Sequence, residues 1–311
     1  MSSATVVLVD PRLGPVLPAA ALAAIRAADA VYLGTDLPET FVAALGADPA
    51  PAGAIDGAVV LIVADRAEPA AAELLAGGAA LIETAPPTGV EVLGAVAVMD
   101  RLRSPGGCPW DAEQTHESLL QYLVEETWEL VEAIEDADRP ALREELGDVL
   151  LQVLFHARLA AEYAEDPFTI DEVAADLVGK LVHRHPHVFV EPGDTDVSDL
   201  EHRWEVQKRL EKKRESSVDG VALGQPALNL VAKLVSRTQR SGLPPDLLSD
   251  EPLFAVAAKE KLAGGEPEGD LRRVARRFDA DVRAAERAAR AAGIDPVHMD
   301  AELWRKFWPA R

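Results

Sequence analysis

Two acidic clusters carry the chemistry of this chain. The first is Glu125-Glu126-Thr127-Trp128-Glu129 and the second is Glu145-Leu146-Gly147-Asp148. Glu126 and Glu129 stand i, i+3, as do Glu145 and Asp148, so on a helix each pair shares one face. Four carboxylates near one point repel unless a cation lies between them. Hard oxygen donors in that number suit Mg²⁺ or Mn²⁺ better than zinc. A solvated acidic face is the bland alternative. Against it, Gly147 and Asp148 interrupt an otherwise apolar run, LGDVLLQVLF, and a mid-helix glycine costs about 1 kcal/mol relative to alanine. The sequence reading is therefore a site in a buried helix, with Gly147 permitting close approach.

The elements that must hold these clusters follow from apolar spacing. Leu119, Leu120, Leu123, Val124, Leu130, Val131 and Ile134 predict a helix over 118–134. Leu142, Leu146, Val149, Leu150, Val153, Leu154, Ala157 and Leu159 predict another over 141–164. Between them, Asp136-Ala137-Asp138-Arg139-Pro140 offers aspartate caps and a proline near the first helical position. The expectation is an antiparallel helical hairpin.

Composition bounds the rest. At 311 residues, the chain has room for two or three domains. A net charge of −22 argues against a surface that coats a nucleic-acid polymer, but a small anionic substrate remains compatible with it. The single cysteine, Cys108, excludes an intramolecular disulfide and fits a reducing cytoplasm. It has no evident base partner and reads as a buried structural thiol. The first residues lack the pattern of a signal peptide, and no apolar run approaches the roughly 20 residues of a membrane helix.

Residues 1–85 read as a small α/β appendage. Thr5 to Val9, Ala58 to Ala64 and Ala79 to Thr84 are strand candidates, and Leu17 to Ala28 and Pro69 to Ala76 are Ala-rich helices. The VVLV…LGP…AAIRAADAVYLG run is similar to the start of tetrapyrrole methylase domains. The unit is too short for such a domain and carries no cofactor loop. Residues 85–89 form a linker. Val90 to Arg103 is an amphipathic helix, followed by a turn under which Trp110 is expected to pack.

Six blocks then carry a resemblance: RLRSPGGCPWDAEQTHESL, EETWE, EELGD, KLVHRHPHVF, WEVQK and VDGVALGQPAL, in that order. Together they resemble the MazG family of all-α nucleoside triphosphate pyrophosphohydrolases, over about residues 90–242. The resemblance implies an all-α helical bundle that dimerises. It also implies Mg²⁺-dependent cleavage of an NTP or dNTP to the monophosphate and pyrophosphate, clearing aberrant or excess nucleotides. On these positions it implies metal ligation by Glu126, Glu129, Glu145 and Asp148, with Glu125 orienting or deprotonating the attacking water. Lys180 and Arg184, one turn apart, would clamp the triphosphate. Lys208 would add a phosphate contact, and Trp204 would stack on a base or sugar. Pro186 is expected to end the Lys180 helix at His185.

Residues 243–311 resemble the second half of longer, duplicated MazG proteins. The basic stretch Leu271 to Phe278 is present but the carboxylate hairpin is missing, so this reads as a degenerate unit supporting the fold or the dimer. Two rival readings come from other classes. A catalytically idle nucleotide- or protein-binding helical dimer is opposed by the intact carboxylate set. A di-iron bundle is opposed by the lone E-x-x-H at Glu113 and His116.

Overall fold

The computed structural model describes residues 4–51, 53, 55, 57–190 and 215–310. The chain divides into two compact units, Met1–His183 and Arg184–Arg311.

The first unit opens with a five-stranded parallel sheet. Its strands are β1 (Thr5–Leu8), β2 (Ala30–Leu33), β3 (Asp48–Pro49), β4 (Val59–Val63) and β5 (Ala80–Ile82), in the order β3-β2-β4-β1-β5. The helices between them are α1 (Ala21–Ala27), α2 (Glu39–Leu45) and α3 (Pro69–Ala76). Strand alternation sorts the side chains onto two covered faces. Val7, Val60 and Ile62 pack with Ala21 of α1 and Phe41 of α2, whereas Val6, Leu61 and Val63 pack with Ala71 of α3. The strand and helix expectations at β1, β4, β5, α1 and α3 match this layout. The sequence reading had no place for β2, β3 or α2, whose short segments carry too few apolar repeats to register.

The helical part begins with α4 (Val90–Arg103) and α5 (Pro109–Glu113). It continues with α6 (His116–Glu135), α7 (Arg139–Ala160), α8 (Ile170–Arg184) and the short α9 (Pro186–Phe189). A capping box opens α6: the Ser118 N–H donates to Thr115 Oγ1, and the Thr115 N–H donates to Ser118 Oγ. Asp138 caps α7, its Oδ1 accepting the Ala141 N–H at 3.1 Å, with Pro140 in the first turn. Between these helices Ala137 takes φ 54°, so the chain reverses in three residues and α6 lies along α7.

The hairpin buries one side against α4. Met99, Leu119, Leu154, Phe155 and Leu159 form its core, and burying each such side chain contributes about 1.5–3 kcal/mol. A polar lock sits beside it. Arg103 makes two parallel hydrogen bonds to the Glu162 carboxylate, at 2.8 and 2.9 Å. Arg158 joins Asp100 and Glu162 at 2.8 Å each. Arg103 also lies over the Phe155 ring. The lock fixes α4 against the end of α7, and with it the angle at which the acidic half of the hairpin is presented.

Two expectations need correction here. Trp110 does not pack beneath the turn; it is half exposed and meets Tyr122 edge-on, with ring centroids 6.0 Å apart. Cys108 is partly exposed rather than buried.

In the second unit, α10 (Ala227–Arg240), α11 (Pro252–Leu262) and α12 (Pro267–Ala291) pack together, and α13 (Ala301–Phe307) packs on α12. Among the described residues, no helix is long and apolar enough to cross a membrane.

Candidate functional site

The acidic clusters meet where the hairpin turns its charged side outward. Glu125, Glu126 and Glu129 lie on α6, and Glu145 and Asp148 on α7. Glu126, Glu129 and Glu145 each place a carboxylate oxygen within 4.8 Å of the other two. Glu126 and Glu145 are partly buried and Glu129 is exposed.

The electrostatics follow from that crowding. Glu126 is held above the usual carboxylate range, first by partial burial and then by the charges of Asp148, Glu129, Glu125 and Glu145. Glu145 is raised in the same way, by loss of solvent and then by Glu129, Asp148 and Glu144. A hydrogen bond with the Glu129 side chain adds to the effect. Asp148 therefore acts on both raised carboxyls although its oxygens stand outside the tight trio. Every charge acting on these two groups, among the described residues, is negative. A cluster of hard oxygens whose members resist ionising together is what a divalent cation relieves, so the donor set fits Mg²⁺ or Mn²⁺.

Gly147 departs from expectation. It is exposed, and a Cβ added there would meet nothing within 4 Å. Gly147 stands i, i+7 from Leu154, on the same side of α7 but two turns nearer the hairpin turn, where nothing among the described residues packs against it. Within this chain it permits no close approach.

Of the remaining candidates, Lys180 and Arg184 stand one turn apart on α8. Lys180 is exposed on α8, a helix with no buried residue, and is not among the charges acting on Glu126 or Glu145. Arg184 is the last residue of α8, and the helix stops before Pro186 as expected. Trp204 and Lys208 lie outside the described residues.

One pair went unnoticed in the sequence. His116 Nδ1 and His156 Nδ1 are 2.7 Å apart, with the two rings nearly parallel at 3°. Gln152 Oε1 and His156 Nε2 are buried and make no hydrogen bond among the described residues. The available signal was Gln152 and His156 standing i, i+4 in the apolar run LLQVLFHARLA. The lone E-x-x-H thus ends in a histidine whose Nδ1 faces a second imidazole.

Comparison with known proteins places this geometry. The MazG nucleotide pyrophosphohydrolase domain matches residues 114–189, a span that holds both acidic clusters. A nucleoside triphosphate pyrophosphohydrolase of Mycobacterium tuberculosis is 42% identical over 246 residues, covering 75% of this chain and 73% of that protein. The chain belongs to the MazG family. The MazG N-terminal domain matches residues 4–82, so the parallel sheet is part of the family's own architecture. An uncharacterized 26.1 kDa protein of Streptomyces cacaoi is 48% identical over 204 residues, covering 64% of this chain and 84% of that protein. A nucleoside triphosphate pyrophosphohydrolase/pyrophosphatase MazG of Thermotoga maritima is 34% identical over 241 residues, covering 68% of this chain and 92% of its own. The MazG match ends at residue 189.

Proposed function

We propose that this MazG protein hydrolyses nucleoside and deoxynucleoside triphosphates to the monophosphate and pyrophosphate, with Mg²⁺ or Mn²⁺ as cofactor. The observation that carries the reading is the convergence of Glu126, Glu129 and Glu145 oxygens within 4.8 Å at one end of a helical hairpin, in a span matched by the MazG nucleotide pyrophosphohydrolase domain.

Glu126, Glu129, Glu145 and Asp148 would hold the cation. When bound, it supplies Lewis-acid stabilisation of phosphate oxygens and makes a nearby water more acidic. Glu125 orients the attacking water and takes its proton. The water oxygen bonds to the α-phosphorus, the bond from that phosphorus to the bridging oxygen breaks, and pyrophosphate leaves with the electron pair. Lys180, Arg184 and Lys208 neutralise charge growing on the leaving group. Trp204 stacks against the nucleoside.

We further propose a cytoplasmic homodimer that clears aberrant or excess nucleotides. The catalytic domain would span residues 90–242, with 1–85 as an α/β appendage and 243–311 as a degenerate MazG-like unit. Support for the dimer comes from apolar side chains left outside on the hairpin. Leu120 and Val124 are 54% exposed and Leu146 is 53% exposed, beside the open surface at Gly147. A second copy would cover them and give Gly147 the close neighbour it lacks here.

A panel of normal and modified NTPs, with nucleotide and phosphate products separated, tests the reaction. Equal amounts of monophosphate and pyrophosphate are expected. Diphosphate with orthophosphate would overturn the assignment.

A further inference from the structure

We infer that the second unit carries a separate binding site for an oligophosphate anion, in the cleft formed by α10, α11 and the start of α12. The cleft has a volume of about 250 Å³, and its walls include Lys233, Arg237, Arg240 and Lys261. Glu266 is the one carboxylate among the lining residues. In a chain of net charge −22, this concentration of positive charge runs against the background. Low-dielectric walls around it focus the field on any anion entering.

The sequence builds the cleft by helix spacing. Lys233, Arg237 and Arg240 fall at i, i+4 and i+7 on one face of α10, while Val235 turns into the core. Asn229, one turn before Lys233, and Ser236 add neutral hydrogen-bonding groups to the same wall. Arg237 is only 7% exposed, so its guanidinium is fixed in place rather than sweeping through solvent. From across the cleft, Lys261 forms an ion pair with Glu266. Glu266 is tethered through its own N–H, which donates to Asp270 Oδ2 at 3.0 Å. An incoming anion competes with the Glu266 carboxylate for Lys261.

Size and composition select the ligand class. No aromatic side chain is among the lining residues, so nothing offers a stacking surface to a base. The volume falls below the ~300–1,000 Å³ typical of sites that enclose a whole drug-sized molecule. The seven steps from Lys233 to Arg240 span about 10 Å of helix at 1.5 Å per residue, longer than a single phosphate and suited to two or three linked ones. The ligand is a diphosphate or triphosphate group, either free pyrophosphate or the tail of a nucleotide whose nucleoside stays outside. This assignment stands apart from the carboxylate hairpin and does not depend on the hydrolytic reading.

Calorimetric titration of the full-length protein with inorganic pyrophosphate, in EDTA at fixed ionic strength, tests it. Saturable binding is expected, weakened tenfold or more by Lys233→Gln and likewise by Arg240→Gln, and unchanged in Glu126→Gln. Lys233 and Arg240 are exposed, so both variants keep their fold, and circular dichroism checks it. Parallel titrations with tripolyphosphate and an α,β-methylene nucleoside triphosphate identify the source: tighter binding of the nucleotide marks a nucleotide tail, and equal or weaker binding marks the free anion. The inference is overturned if pyrophosphate fails to bind at millimolar concentration or binds no better than sulfate. It is equally overturned if binding survives in both cleft variants or disappears in Glu126→Gln.

Discussion

Glu129 on α6 and Glu145 on α7 face each other across the hairpin, with carboxylate oxygens within 4.8 Å of one another. Loss of solvent, and then the Glu129 charge, hold Glu145 above its ordinary range, and the contact marks the point where the two helices bring like charges together.

This has a consequence for stability against pH. Glu126 and Glu145 are both raised in the folded state. Their favourable contribution is fully present below the unfolded carboxylate pKa of about 4.3 and is lost as pH rises through the folded values. At neutral pH the metal-free hairpin is strained by repulsion. Glu145→Gln is expected to raise the metal-free melting temperature at pH 7.5, and the gain should vanish near pH 4. Mg²⁺ at 100 times its dissociation constant should stabilise the wild type by about 2.7 kcal/mol. Scanning calorimetry with and without metal at the two pH values checks both effects.

His156 should act in the opposite direction. Its pKa is lowered, first by burial and then by the charge of His116. A group depressed on folding contributes stability above its unfolded value, about 6.5, and that stability is lost as pH falls through the folded value. The 2.7 Å contact between the Nδ1 atoms also requires one of them to be bare, so a doubly protonated pair does not fit this geometry. Wild-type stability should drop as pH falls below about 6.5 and through the lowered folded value, and His156→Gln should flatten that slope. An unchanged slope in the variant would remove the pair from the account.

The turn between α6 and α7 offers a stability test with no charge involved. Ala137 sits at φ 54°, a region costing an L-residue about 1–2 kcal/mol. Glycine removes that strain but adds about 0.4–1 kcal/mol of unfolded-state entropy. Ala137→Gly is expected to stabilise the protein by about 0.5–1 kcal/mol in urea denaturation. A loss of stability would show that the alanine methyl packs usefully.

How far the sequence could be read depended on where each signal was stored. Helices α6 and α7 announced themselves through apolar residues at three- and four-residue steps, and Asp138 and Pro140 marked their junction. The end of α7 was placed at Ala164, whereas the helix stops at Ala160; the chain then turns, with Asp166 at φ 55°. Strand β2, only Ala30–Leu33, was too short to show alternation. Gly147 was read as buried because its neighbours are apolar, yet Leu146 beside it is itself exposed; composition cannot say how far along a helix its partner extends. The cationic cleft drew residues from 225 to 266, and only the packing of α10, α11 and α12 gathers them.

The clamp residues separate binding of phosphate from binding of metal. Lysine in place of arginine keeps the charge but loses the planar fork that grips two oxygens. Arg184→Lys is expected to lower kcat/KM about tenfold, or roughly 1.4 kcal/mol of transition-state stabilisation, without altering the metal requirement. Trp204→Ala should weaken the nucleoside end and change the preference among bases. Steady-state kinetics on several NTPs at saturating Mg²⁺ distinguish the two, and wild-type behaviour of Arg184→Lys would make that arginine a bystander.

The central claim is that Glu126, Glu129, Glu145 and Asp148 together hold the divalent cation that hydrolysis needs. Its most direct measurement is pyrophosphate release by wild type and Glu126→Gln as Mg²⁺ is titrated into metal-free protein. The account predicts release that is absent in EDTA, rises to saturation with Mg²⁺ in the wild type, and falls at least a hundredfold in a folded Glu126→Gln variant, a loss of about 2.7 kcal/mol or more. Wild-type turnover in EDTA, or an unchanged Mg²⁺ titration in Glu126→Gln, would contradict it.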